Sequence, residues 1–405
     1  MYHALDGLRD HDCTSQPPKK NMEIILHASQ SRSVLGKHYL TAFKDAVELY
    51  VVSAYLTEWD GAIKLTPACK RFRFIIGKDF GITRKNACID VLKWLPASRK
   101  ANFLVADNIT GFHPKAVIWR TAKGQAFMLV GSSNLSRAAF EGNVEANVLV
   151  PISEKAFEEA KTWIEWIEER SVPVSEDWLD QYVEAVRNPA GSSGKRVPAN
   201  QEKSPVITFK LPRPSKTADR LRVRRKQLAA YTKQRNGLMR LFRRAASGSI
   251  SSLQFFEELP QHWSMEKGNR LQGKGWERKG KHANFQELAA SFVSILDANK
   301  RDRDDVVRAE LDRLDSRGNS ARKAFLSEML CLRFPNEYPV LNDPVHRFLV
   351  KNRFTASRGS SEGARYIDLA KKLRMALRAN PDYPAKNLAE LDLLIWASSD
   401  YNPNA

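Results

Sequence analysis

Residues 111–148 read GFHPKAVIWRTAKGQAFMLVGSSNLSRAAFEGNVEANV. Ala116–Trp119 and Ala126–Val130 are short β-branched and aromatic runs of the kind that form strands. His113 and Lys115 stand two apart at the entry to the first run, so in extended chain both side chains leave on one face. The second run leads into Gly131-Ser132-Ser133-Asn134, where the glycine permits close backbone approach and the small polar residues offer donors. Eleven residues after Asn134, Glu145 lies in a further extended run, Asn143–Val150. A lone H-x-K is common by chance and GSSN alone fits many turns. The order of the pieces and their strand context carry the reading.

Outward from this stretch the first half alternates strand-like and helix-like segments. Met22–Leu26 is a short apolar run and Val34–Ala46 has a helical pattern. Glu48–Tyr55 (ELYVVSAY) predicts a strand buried on both faces. Phe72–Ile76 predicts another strand that stops at Gly77, Asn86–Leu95 a helix, and Asn102–Val105 a short strand. Glu154–Glu169 reads as a long helix with Trp163, Trp166 and Ile167 on one side. The fold class expected is α/β with a central mixed sheet, followed by a mainly α-helical C-terminal domain. Pro189–Pro214 is rich in Pro, Gly, Ser and Lys and reads as a linker. Beyond it the segments Thr217–Ala246, Asn284–Leu296, Asp304–Leu314, Ala321–Leu332, Tyr366–Leu377 and Leu388–Trp396 are all helical in pattern. The expected division is a disordered tail over 1–21, an α/β domain over 22–188, a linker over 189–215 and a basic helical domain over 216–405.

The chain has 405 residues and a net charge of +19, with that charge unevenly placed. Lys plus Arg against Asp plus Glu is 24 to 23 over residues 1–190, 16 to 2 over 191–250, and 25 to 21 over 251–405. The surplus of one 60-residue block is the electrostatic footprint of a polyanion binder. Arg222, Arg224, Arg225, Lys226, Lys233, Arg235, Arg240, Arg243 and Arg244 are its candidate nucleic-acid contacts. On a helix they would spread over much of the circumference, which suits phosphate tracking. His262–His282 mixes Gly, Lys, Arg and tryptophan, with Trp276 either free to stack on a base or tucked into the core. No apolar run reaches the roughly 20 residues of a membrane span, and the N-terminus lacks the apolar stretch of a secretory signal. Cytoplasmic location and no membrane partner are the expectations. The cysteines, Cys13, Cys69, Cys88 and Cys331, lack any C-x-x-C pairing and read as reduced, mostly buried thiols.

The H-x-K…G-S-x-N…E order resembles the phospholipase D superfamily, and most of all its metal-independent restriction endonucleases, over roughly residues 22–190. ELYVVSAYLTEWDGA resembles an early strand of those nuclease domains. Arg120 stands where the phospholipase motif has an aspartate, a departure that argues against a lipid substrate. The resemblance implies catalytic roles for His113, Lys115, Asn134 and Glu145. A neutral imidazole can attack phosphorus without charge repulsion and give a phosphohistidine. Lys115 and Asn134 would stabilise the non-bridging oxygens, with Ser132 and Ser133 in support. Glu145 would orient the imidazole. No metal or other cofactor is implied, since cationic side chains supply the charge.

The reaction needs a second histidine to protonate the leaving oxygen, and no other histidine in the chain is followed by Lys at +2. The family joins two motifs across a pseudo-two-fold, which for one motif per chain implies a homodimer with a composite site. AFLSEMLCLRFPNEYPVLNDPVHRFL, with YIDLAKKLRMAL and LAELDLLIW, resembles a helical module found beside ATPases of bacterial restriction and defence systems. DNA is the partner expected, with a defence-system protein as a further one. Two other readings stand beside the nuclease: a phospholipase or other phosphodiesterase, since basic surfaces also bind anionic membranes, and a nucleic-acid-binding protein with a dormant site.

Overall fold

The computed structural model describes residues 22–28, 34–185 and 204–398. The expected tail over 1–21 and residues 189–203 of the expected linker lie outside the described residues. The strands are β1 (Glu23–His27), β2 (Ala46–Ser53), β3 (Arg71–Ile76), β4 (Phe103–Val105), β5 (Lys115–Thr121), β6 (Ala126–Gly131), β7 (Glu145–Ile152) and β8 (Val172–Pro173). They form one sheet in the order β1-β7-β6-β5-β2-β3-β4-β8. β2, β3 and β4 run parallel, and the remaining pairs are antiparallel, so the sheet is mixed.

The continuous apolar runs of the central strands arise because both sheet faces are covered. Leu49, Val51, Phe72, Phe74, Val117 and Trp119 share a core with the helices Leu35–Asp45 and Lys85–Trp94. The alternate residues Tyr50, Val52, Ile75, Leu104 and Ile118 meet Phe157, Ile164 and Ile167 of the helix Glu154–Glu168. Trp163 and Trp166 of that helix are 38% and 48% exposed. Phe157 and Ile164, seven residues apart, take the buried seam, and Trp166 lies on the outside under the Arg170 guanidinium.

After residue 204 the structure is helical. The helix Thr217–Ala246 lines an aromatic core through Tyr231, Leu238, Leu241 and Phe242, against Phe255, Phe285, Phe292 and Phe325. This region docks on the β3–β4–β8 side of the sheet through buried charge. Arg73 of β3 bonds Glu168 at 2.8 Å and Asp305 at 2.9 Å. Lys372 bonds Asp177 at 2.7 Å, and both are buried. Between Ser204 and the long helix the chain is packed down, with Ile207 and Phe209 buried and the amides of Val206 and Ile207 donating to Asp107. No helix among the described residues is long and apolar enough to cross a membrane. Cys69, Cys88 and Cys331 are free and buried.

Candidate active site

The signature residues meet at one end of the sheet. Lys115 opens β5 in register with Ser53, the last residue of β2. Gly131 ends β6 in register with Asn147 of β7, two residues beyond Glu145. The loop after Gly131 is tied back to β2. Leu135 N donates to Ser53 Oγ at 3.2 Å, Thr57 N donates to Leu135 O at 3.0 Å, and Ser53 Oγ donates to Tyr55 O at 2.7 Å. Ser136 then caps the short helix Arg137–Glu141 by accepting from Ala139 N. A Cβ at Gly131 would lie 2.3 Å from Ala146 O, so only glycine lets β6 lie this close to β7.

His113 is exposed and Lys115 half-buried. Lys115 Nζ lies 3.0 Å from His113 Nδ1 and 3.4 Å from Nε2, so ammonium and imidazole converge on one point. Tyr55 meets the His113 ring edge-on at 5.6 Å between centroids. Partial burial lowers the Lys115 pKa from its ordinary value, with the Glu145 carboxylate opposing that shift. Glu145 is buried; it accepts from Ser132 Oγ and, at 3.0 Å, from Asn143 Nδ2, so the loop engages both of its oxygens. Asn134 is half-buried, and its Oδ1 has no hydrogen-bond partner among the described residues.

Ser132 is exposed, but Ser133 is turned inward, its hydroxyl accepting from Asn147 Nδ2 at 2.9 Å. It therefore braces the loop from beneath. Asn147 and Asn143 do work that the sequence reading passed over; Asn147 is two residues from Glu145 and so shares its face by strand alternation. His27 is buried and in register with Glu145, which brings a second histidine beside the carboxylate. Arg120 sits at the far end of β5, bonded to Glu154 at 2.7 Å and stacked on Phe157, a packing role away from the loop. Among the described residues no group of three or more His, Cys, Asp or Glu side chains is arranged to hold a metal ion.

The basic candidates divide sharply. Arg224 is buried and bonded to Asp392 at 3.0 Å and to Leu271 O, so it is a core ion pair and not a surface contact. Arg225, Arg243 and Arg244 pair with Glu390, Asp297 and Glu258 at 2.6–2.8 Å. Lys226, Lys233 and Arg240 are exposed, Arg222 is exposed beside Asp219, and Arg235 is half-buried. Trp276 packs among Phe325, Trp263 and Phe285, which withdraws it from base stacking.

No family model matches the chain, and no curated protein is similar to it. Among solved structures it is similar to NucT from Helicobacter pylori at 17% identity and a TM-score of 0.29, over 38% of this chain and 99% of that one. Phosphatidylserine synthase from Haemophilus influenzae Rd KW20 is similar at 12% identity and 0.27, over 38% of this chain and 40% of that one. The phospholipase D family member Nuc from Salmonella typhimurium is similar at 17% identity and 0.25, over 37% and 94%. Likenesses of this size leave the function to be argued from the chain's own residues.

Proposed function

We propose that the chain is a phosphodiesterase of the phospholipase D type that cleaves DNA without a metal ion, through a phosphohistidine at His113, in bacterial restriction or anti-phage defence. One observation carries this reading: an exposed imidazole and an ammonium 3.0 Å apart at a strand end, on a site completed by Ser132, Asn134 and Glu145. A ring nitrogen of His113 forms the P–N bond as the P–O bond to the leaving group breaks. Lys115 and Asn134 meet the non-bridging oxygens, where negative charge builds. Water then attacks phosphorus and gives its proton to the histidine that protonated the leaving group, the P–N bond breaks, and its electron pair returns to the ring.

The leaving alkoxide needs a proton. His27 is 2% exposed, which keeps it from an incoming phosphate. We therefore assign the acid to His113 of a second copy, in a homodimer with one composite site. Within one chain the Glu145 oxygens are engaged by the loop, so its action on an imidazole is assigned to the assembled site.

The test is cleavage of plasmid DNA in excess EDTA, beside His113→Ala. EDTA-resistant cleavage that disappears in the variant is expected. Cleavage that requires magnesium, or that survives the substitution, sinks the mechanism. Absent cleavage with tight, salt-sensitive DNA binding would favour a dormant binding protein, and release of headgroup from phospholipid vesicles a lipid phosphodiesterase. A fully active monomer in sedimentation would refute the composite site.

A further inference from the structure

The cations of the helix Thr217–Ala246 have different fates. Arg224 is buried, and Arg225, Arg243 and Arg244 are held by carboxylates from other elements. Lys226, Lys233 and Arg240 are exposed and recur at seven-residue intervals. At about 100° per residue the three fall within roughly 40° of one another, on the side of the helix opposite Tyr231 and Leu238, which are buried. Arg222 continues the line toward the N-terminus. From 222 to 240 the row runs roughly 27 Å, about eight base-pair steps of B-form duplex at about 3.4 Å each.

On the row's own side of the helix the residues between these cations are small: Ala229, Ala230, Asn236 and Gly237. Ala229, Ala230 and Asn236 leave the helix surface low beside the cations, so that a broad polyanion can approach them. His262 lies against Gly237, where an added Cβ would come within 2.6 Å of its ring. Burial lowers the His262 pKa, and Arg240, Lys267 and Arg244 lower it further against the opposing Glu258. The local potential beside Arg240 is thus positive even with Glu258 present.

We infer that Lys226, Lys233 and Arg240 form a linear docking stripe for the sugar–phosphate backbone of a nucleic-acid duplex, separate from the His113 site. The nuclease reading enters only in the choice of polyanion. A duplex fits better than a single strand because the stripe offers cations on a row of small residues, while the nearby Trp263 and Trp276 are packed into the aromatic core. Such a contact positions the substrate and reads no sequence.

The experiment is fluorescence anisotropy with a labelled 20-base-pair DNA duplex over a range of salt, using the full chain carrying His113→Ala. Lys226→Ala/Lys233→Ala/Arg240→Ala is compared with Arg225→Ala/Arg243→Ala/Arg244→Ala, which removes equal charge from paired positions. The stripe variant should flatten the slope of log K against log salt by about 2.7 and weaken binding by two to three powers of ten near 0.1 M salt. The paired-site variant should lose less than about tenfold, since its charges are already neutralised. Equal losses in the two variants, or unchanged duplex binding in the stripe variant, would overturn the stripe. So would equally tight binding of the single strand, or loss of binding to anionic phospholipid vesicles without loss on the duplex. A chain that never cleaves but loses duplex binding with the stripe retains this inference and loses the nuclease. A chain that cleaves through His113 yet binds duplex undiminished without the stripe does the reverse.

Discussion

Gly131→Ala tests whether the loop's position sets the rate. A Cβ at this residue would lie 2.3 Å from Ala146 O, 2.4 Å from Asn147 Oδ1 and 2.6 Å from Asn147 Cα, against 3.4 Å for ordinary contact. Two of these atoms are backbone and cannot rotate away, so β6 and β7 must part by about 1 Å in a region packed to crystal-like density. Overpacking of this kind costs about 1–3 kcal/mol, which thermal unfolding would register as a shift of a few degrees. The same movement carries Ser132, Asn134 and Glu145 away from His113. A misplacement of about 1 Å costs about 100-fold in rate. The assay is the rate of plasmid cleavage in EDTA beside the thermal midpoint, with Gly273→Ala as control, where a Cβ meets nothing within 4 Å. A Gly131→Ala protein that cleaves at the parent rate would refute the claim that this loop is part of the site. Comparable damage in the control would refute the steric argument.

Acid should loosen the junction between sheet and helices. Burial pushes the Glu168 carboxyl up, but Arg73 and Lys371 overcome it and hold it at about 2 against an ordinary 4.5. A depressed carboxyl contributes above its unfolded pKa and loses that contribution as pH falls through its folded one. About 3 kcal/mol is therefore present at pH 7 and more than half of it is gone by pH 3. Urea unfolding of the parent and Glu168→Gln at both pH values should show the gap closing, and a constant gap would contradict the assignment. Lys115 must be protonated to meet phosphate oxygens, and its pKa is lowered. The alkaline limb of kcat/KM should accordingly fall below the lysine value of 10.5 and move upward in Lys115→Arg; an unmoved limb would assign it to another group. Arg224→Ala leaves Asp392 buried without its guanidinium, at a cost of about 3–5 kcal/mol, while duplex affinity of the folded protein stays unchanged. Reduced affinity without reduced stability would restore Arg224 to the binding surface.

Much of the fold was legible in the sequence, because period-two and helical hydrophobic patterns are local consequences of burial on a face. ELYVVSAY announced β2, and the stretch 111–148 announced β5, β6 and β7 in order. Each of the six helical segments expected after residue 215 overlaps a helix of the structure, although Asn284 and residues 321–323 precede the helices they were assigned to. That Phe157 and Ile164 and not Trp163 and Trp166 meet the sheet was decided by packing, because helical periodicity says which residues share a side and not which of two apolar sides is covered. The candidate set was legible as a group because H-x-K, GSSN and Glu145 follow one another in order across adjacent strands. Asn143, Asn147 and His27 were not, since an asparagine or histidine acquires meaning only from what stands opposite it across a strand pair.

The basic block shows the division most clearly. The sequence alone established that sixteen cations against two acids lie in residues 191–250, and that one long helical segment carries all nine candidate contacts. It could not say which charges were free. Their carboxylate partners, Asp392, Glu390, Asp297 and Glu258, are 14 to 168 positions away, and hydrogen-bond reach is set by tertiary packing and not by separation along the chain. Only the folded structure turned a count of positive residues into one buried pair, three neutralised surface pairs and one exposed row.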